Sequence, residues 1–388
     1  MNPSAACAFF RTRAVFRSVL RLVGAAALII VIGTRSAAAA AEDASATIRR
    51  LVEEKRIINV HEHVQGEENA ETLLAEMDAL GIGKTVLVGS PWFTISLYER
   101  AGFTRHDENN AAILAMAKAH PDRFEAWPTV DPTDPAKLDK VKAMVGEGAT
   151  GVKFYLGHGY TSRENRYIFH PIAMDDPGMM PLYAYLAEAH IPLCFHVNPA
   201  KPGFLDEFVQ ILKAHPDLKV NTPHYLMSSM VHTRLREMLR TFPNLYIDIS
   251  FGHDDYLKAG LQRVSADVDG FRALFQAFPE RFMFGTDYVV TTLRPKDLDW
   301  YRIRSQAYLD MLATEQYKSP LLPDLPLRGL ALPPALLENI LYRNYERFQA
   351  LKPENTRIDH PLDWSQLRVR MDARAPGQAL PPPERRRR

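Results

Sequence analysis

The sequence predicts an α/β fold, a (β/α)8 barrel, on three observations. Eight short, mostly apolar runs alternate with helical patterns over roughly 290 residues, the rhythm of parallel β/α units. Several helix-to-strand junctions share one punctuation, a proline that ends the helix just before the strand begins. Proline lacks an amide hydrogen and restricts the residue before it, so it suits that junction. An open doubly wound sheet fits the alternation too. The strand count, and the absence of a glycine-rich phosphate loop after the first strand, favour the barrel.

The elements follow in order. The first strand is expected over 56–64, where Ile57, Ile58 and Val60 are β-branched. A helical pattern runs from Glu67 to Leu80, and strands are expected near 84–90 and 123–130, the latter entered through Ala119-His120-Pro121-Asp122. A helix from Pro135 to Val145 leads to a fourth strand at 151–156, and one from Met179 to His190 leads to a fifth at 192–198. A helix from Phe204 to Ala214, closed by His215-Pro216, precedes a sixth strand at 219–226. Phe242-Pro243-Asn244 introduces a seventh at 245–251, and Phe278-Pro279-Glu280 an eighth at 281–290. The proline-rich segment Ser319 to Pro334 is expected to wrap the barrel before the last helix. His120, His190 and His215 fall at helix C-termini, where a partly charged imidazole suits the helix dipole, and are read as structural.

Side chains alternate faces along a strand, so His61 and His63 project from one side, close enough to hold one metal ion. His196, His224 and Asp287 stand at the ends of three further strands. In a (β/α)8 barrel the C-terminal strand ends converge on one mouth, where the site is built.

The chain's ends are expected to lie outside the barrel domain, placed at residues 42–374. Arg11, Arg13, Arg17 and Arg21, the apolar stretch Val23 to Gly33 and the small-residue run Ser36 to Ala41 describe a secretory signal peptide over residues 1–41. The apolar stretch is shorter than the roughly 20 residues that span a bilayer, which favours cleavage over an uncleaved anchor. A secreted or periplasmic protein is therefore expected, without stable membrane association after cleavage. Removing that segment takes away five arginines and no acid, moving the formal charge from +1 to −4. That balance gives no electrostatic case for nucleic acid as a partner. Cys194 would be the one remaining cysteine, so no intramolecular disulfide is expected. Residues 375–388, rich in proline and arginine, read as a disordered basic tail.

Six motifs, in this order, resemble the amidohydrolase superfamily, specifically the amidohydrolase-related group (amidohydrolase family 2) that includes amino-carboxymuconate-semialdehyde decarboxylase and its hydrolase relatives. They are Asn59-Val-His-Glu-His63, Gly151-Val-Lys-Phe154, Pro192-Leu-Cys-Phe-His196, Thr222-Pro-His224, Phe284-Gly-Thr-Asp287 and Glu338-Asn-Ile-Leu-Tyr-Arg-Asn344. The resemblance implies that His61, His63, His196 and Asp287 bind a divalent metal, most often zinc, and neutral imidazoles with a carboxylate suit such an ion. It implies that Asp287 accepts a proton from the activated water. His224 would hydrogen-bond the developing oxyanion or the water, or ligate a second metal. Two-metal members use a carboxylated lysine, for which Lys153 is the candidate; lysine in Gly-Val-Lys also occurs with one metal, and one is expected. The run His224-Tyr225-Leu226 departs from the group, which usually has a small residue two positions after this histidine.

The expected partner is a small-molecule substrate, with a homo-oligomer left open. Specificity should lie in the loops at the mouth: Trp92, Phe93 and Tyr98 as an aromatic wall, Arg163 and Arg166 for a substrate carboxylate, and His253 and Arg294 near the rim. The leading expectation is hydrolysis of a lactone, amide or ester by activated water. The alternatives are non-oxidative decarboxylation of an aromatic or dienoic acid and, from another class, a periplasmic binding protein that has lost catalysis.

Overall fold

The structure, a computed structural model, describes residues 43–96, 103–158, 172–199, 201, 203–227 and 232–368. The expected signal peptide and basic tail, and with them Tyr98, Arg163 and Arg166, lie outside these residues.

Parallel strands β1 (Ile57–Val64), β2 (Ile82–Val88) and β3 (Phe124–Trp127) pair in sequence order. So do β4 (Val152–Gly157), β5 (Leu193–Val197), β6 (Val220–Thr222), β7 (Leu245–Asp248) and β8 (Phe282–Met283). The two sheets meet at two seams. Lys153 N donates to Pro128 O and Thr150 N to Ala126 O, joining β3 to β4 alongside a bridge between Thr129 and Lys153. At the other seam Val60 N donates to Phe284 O, and β9 (Tyr288–Val290) pairs with β1. The hydrogen-bonded ring is thereby continuous, and edge strands disappear on closure.

Helices cover the outside. Residues 43–53 form α1, followed by α2 (Ala70–Leu80), α3 (Trp92–Ile95), α4 (His106–Ala119) and α5 (Lys137–Gly146). Next come α6 (Met180–Glu188), α7 (Phe204–Ala214), α8 (His232–Thr241), α9 (Asp254–Ala266), α10 (Val268–Ala277) and α11 (Leu298–Ala313). All of β1 is buried, as expected when the barrel interior packs one face and helices the other. The proline-rich segment carries an antiparallel pair of two-residue strands, Gln316–Tyr317 and Leu327–Arg328, before the helix Pro334–Glu338.

Three expectations are corrected. The expected helix 67–80 opens as a separate short 3-10 turn at Glu67–Asn69. The expected eighth strand is two pieces, because Asp287 adopts φ 57° between β8 and β9. The sixth strand stops at Thr222 rather than 226. His224, Tyr225, Leu226 and Met227 then follow one another at φ 59°, 54°, 53° and 49°. Left-handed backbone costs a non-glycine residue roughly 1–2 kcal/mol, so packing must hold this turn. The Tyr225 ring is fully buried, stacked on Phe251 at 5.4 Å and edge-on to Phe271 at 5.7 Å. His120 and His215 cap helix ends as expected, but burial lowers the pKa of His215 and favours the neutral ring over a partly charged one.

The Tyr225 hydroxyl is buried without a hydrogen-bond partner among the described residues. Tyr225→Phe should therefore stabilise the fold by about 1 kcal/mol, since an unsatisfied buried hydroxyl carries a desolvation penalty. Tyr225→Ala should cost about 3–5 kcal/mol by leaving a cavity under the strained turn. Urea denaturation of the two variants checks both signs; a destabilised Tyr225→Phe would show that the hydroxyl is bonded.

Candidate active site

The strand ends meet at a cavity of about 260 Å³. His61 and His63 enter it from β1, Lys153 and Tyr155 from β4, His196 from β5, His224 from the turn after β6, and Asp287 from the break between β8 and β9. The alternation along β1 puts His61 and His63 on one face, with ring centroids 5.1 Å apart.

Asp287 is the point of convergence. Its Oδ1 lies 2.9 Å from His63 Nε2 and 3.2 Å from His61 Nε2, and its Oδ2 lies 3.6 Å from His224 Nε2. The turn that presents it is held by Asp287 N donating to His61 O at 2.8 Å. Across from it, Gly252 sits at φ 73°, where a Cβ would collide with Asp287 Oδ2. Burial alone raises the Asp287 pKa, and positive charge at the surrounding nitrogens is what outweighs it and holds the carboxylate well below its usual range.

Hydrogen-bond accounting assigns the ring nitrogens. Ser90 Oγ donates its one hydrogen to Val88 O at 2.9 Å, so it accepts from His63 Nδ1 at 2.7 Å. With its hydrogen on Nδ1, a neutral His63 turns the Nε2 lone pair toward Asp287. The Lys153 ammonium, which can only donate, lies 3.2 Å from His61 Nε2, so that nitrogen also carries a lone pair. The His61 and His63 lone pairs thus face the Asp287 carboxylate, and among the described residues Lys153 alone brings a hydrogen toward them, a crowding that a further cation would relieve. His61, His224 and Asp287 each bring a ligand atom within 4.8 Å of the others, a spread one ion can bridge. The residues present therefore fit a divalent metal.

His196 lines the same cavity but is not among the ligand atoms grouped within 4.8 Å of one another. Its ring packs on His158 at 4.2 Å and lies 5.1 Å from the His224 ring, and its Nδ1 has no partner among the described residues. Burial lowers its pKa well below the usual value, with His158 and His224 adding to the shift, so the ring is neutral. Lys153, buried at 1 % exposure, also reaches Cys194 Sγ at 3.5 Å and lies over the Tyr155 ring.

Of the rim candidates, His253 and Arg294 line the cavity. His253 also caps α9, its Nδ1 accepting from Asp255 N at 3.4 Å. Trp92 is placed elsewhere: the Arg105 guanidinium lies 4.0 Å over its ring, and Phe93 and Thr94 of the same short helix reach the cavity instead. Arg163 and Arg166 fall outside the described residues.

The sequence reading missed Asp248, Ser90, Lys296 and Trp300. Asp248 carries a faint signal, an acid ending an apolar strand, whereas Ser90 looks like any loop serine. Lys296 lines the cavity and donates to Val289 O. Trp300 lies under the Arg304 guanidinium at 3.7 Å, and Arg304 grips Asp254 through both carboxylate oxygens, its Nε at 2.7 Å. The Asp254 charge is thereby committed to holding the wall.

A set of metal-ligand side chains at the C-terminal mouth of a (β/α)8 barrel defines a class of barrel enzymes. The amidohydrolase family matches residues 98–348, and the chain belongs to it. No curated protein matches. Several solved structures are similar. An uncharacterised TIM-barrel protein from Bordetella bronchiseptica is 20% identical, covering 76% of this chain and 98% of that one, with TM-score 0.49. An amidohydrolase from Burkholderia multivorans with bound zinc is 16% identical over 76% and 99%, with TM-score 0.49. A 2,6-dihydroxybenzoate decarboxylase from Rhizobium is 15% identical over 76% and 99%, with TM-score 0.46.

Burial holds the His63 pKa down at about 4 against an ordinary 6.5, with Asp287 opposing. A ring kept neutral by folding contributes stability that is present above its unfolded pKa and lost as pH falls toward the folded one. The gap corresponds to on the order of 3 kcal/mol. In chelator-treated protein, urea unfolding between about pH 7 and about pH 4 should cost the wild type that much more than His63→Gln. Equal losses in the two proteins would show that His63 titrates normally.

Proposed function

We propose that this chain is a metal-dependent hydrolase that opens a lactone, amide or ester bond in a small, negatively charged molecule. The observation that carries the reading is the Asp287 carboxylate, ionised and ringed by imidazole nitrogens on the cavity floor. His61, His224 and Asp287 would hold one divalent ion, zinc by its preference for such donors, with His63 beside them on the same carboxylate. The ion would supply Lewis acidity, acidifying a water and polarising a carbonyl.

The chain's own residues supply the rest. An Asp287 oxygen accepts the proton given up by the attacking water and delivers it to the leaving group. Arg294 and Lys296 place positive charge at the rim, where a substrate carboxylate would be received. Phe93, Tyr155 and Trp300 form apolar walls that exclude water around the reacting bond. Lys153 stands as an unmodified amine 3.2 Å from His61 Nε2, and only a carboxylated lysine would bridge a second ion, which supports a single metal.

Lys153 also favours a second reading, decarboxylation of an aromatic or dienoic acid. That reaction breaks a carbon–carbon bond and needs a proton for the carbon left behind, and a buried ammonium on the cavity floor can provide one.

Metal analysis of purified protein should find about one divalent ion per chain, and Asp287→Asn should retain less of it while losing at least about 100-fold in turnover. A panel of lactones, esters, amides and aryl carboxylates separates the two reactions: product acid or amine supports hydrolysis, and released carbon dioxide overturns it in favour of the lyase. Wild-type protein without stoichiometric metal would refute both.

A further inference from the structure

Asp248, at the end of β7, is fully buried and bonded on both sides. Its Oδ2 lies 3.1 Å from His61 Nδ1. Its Oδ1 accepts from Ser250 N at 3.0 Å, from the Ser250 hydroxyl, and from His224 N at 3.4 Å. Asn221 Nδ2 also donates to Oδ2, at 3.5 Å, so both carboxylate oxygens serve as acceptors.

With donors directed at both of its oxygens, Asp248 acts as the acceptor toward His61, whose hydrogen therefore sits on Nδ1. The Ser250 hydroxyl likewise spends its hydrogen on Asp248, leaving its oxygen to accept from His224 Nδ1 at 2.9 Å. The Ser250 carbonyl, 3.3 Å from the same Nδ1, is also an acceptor. Both partners of His224 Nδ1 therefore demand a hydrogen there.

We infer that Asp248 is a positioning residue that sets the tautomer of two cavity histidines at once, His61 directly and His224 through Ser250, so that both present Nε2 lone pairs to the space beside Asp287. Such outer carboxylates orient ligand rings and raise their basicity. His224 in this tautomer has no N–H to give an oxyanion. Its role is that of a ligand or a proton acceptor; of the roles the resemblance implied, donation to an oxyanion falls away, while ligation or a bond to the water remains. The inference rests on the metal-site reading above, but the tautomers themselves can be read without metal.

The test is made on the full chain. Long-range nitrogen–proton NMR of histidine-labelled, chelator-treated wild type, with His61→Gln and His224→Gln for assignment, should show both rings with hydrogen on Nδ1. A hydrogen on Nε2 of either ring overturns the inference, whatever the protein's activity. Asp248→Asn sharpens the test. The amide oxygen must serve the Ser250 and His224 donors, so its NH2 faces His61 Nδ1 and should invert that ring. Zinc affinity, measured by chelator competition, should then fall on the order of 10–100-fold. Affinity within twofold of wild type in a folded Asp248→Asn protein with His61 unchanged would overturn the proposal. If that variant does not fold, the wild-type spectrum decides alone. A wild type with both tautomers as stated but no zinc affinity would sink the metal reading and leave the Asp248 assignment standing.

Discussion

The Asp287 carboxylate is crowded on the cavity floor by the imidazoles of His61, His63 and His224. A buried charge without partners would cost several kcal/mol or take up a proton. The partners here are nitrogens whose own hydrogens point away, toward Ser90, Asp248 and Ser250. The result is a concentration of lone pairs that a cation stabilises far better than any hydrogen bond among the groups themselves. The ring of hydrogen-bonded strands is what holds these side chains together against their repulsion.

The backbone yields where the site requires it. Asp287 reaches the centre because the eighth strand breaks into a left-handed residue, and Gly252 leaves room for its carboxylate. His224 begins four left-handed residues in succession, none of them glycine. Both departures sit beside the converging donors, and aromatic packing around Tyr225 supports the second. Local rules broken at a site and compensated by packing are the expected pattern for a functional centre.

The outer wall shows the same economy of charge. Arg304 stacks on Trp300 and grips Asp254, while Arg294, Lys296 and Lys153 are, among the described residues, the lysine and arginine side chains that line the cavity. These basic side chains beside apolar walls are what support the proposal of a small anionic substrate.

The alternating β/α order, the position of the first strand and the gathering of His61, His63, His196, His224 and Asp287 at strand ends were legible in the chain alone. A period of two and helix-ending prolines are local signals, set by neighbouring residues. The break at Asp287, the left-handed turn at His224 and the placement of Trp92 outside the cavity were not legible, because each is decided by packing from segments distant in sequence. Asp248 and Ser90 were missed for the same reason: their roles consist of hydrogen bonds to histidines on other strands. By itself the sequence determined which residues could form a metal site and on which strands they stand. Only the tertiary structure decided which way each imidazole turns, since a ring's tautomer is set by the partner behind it.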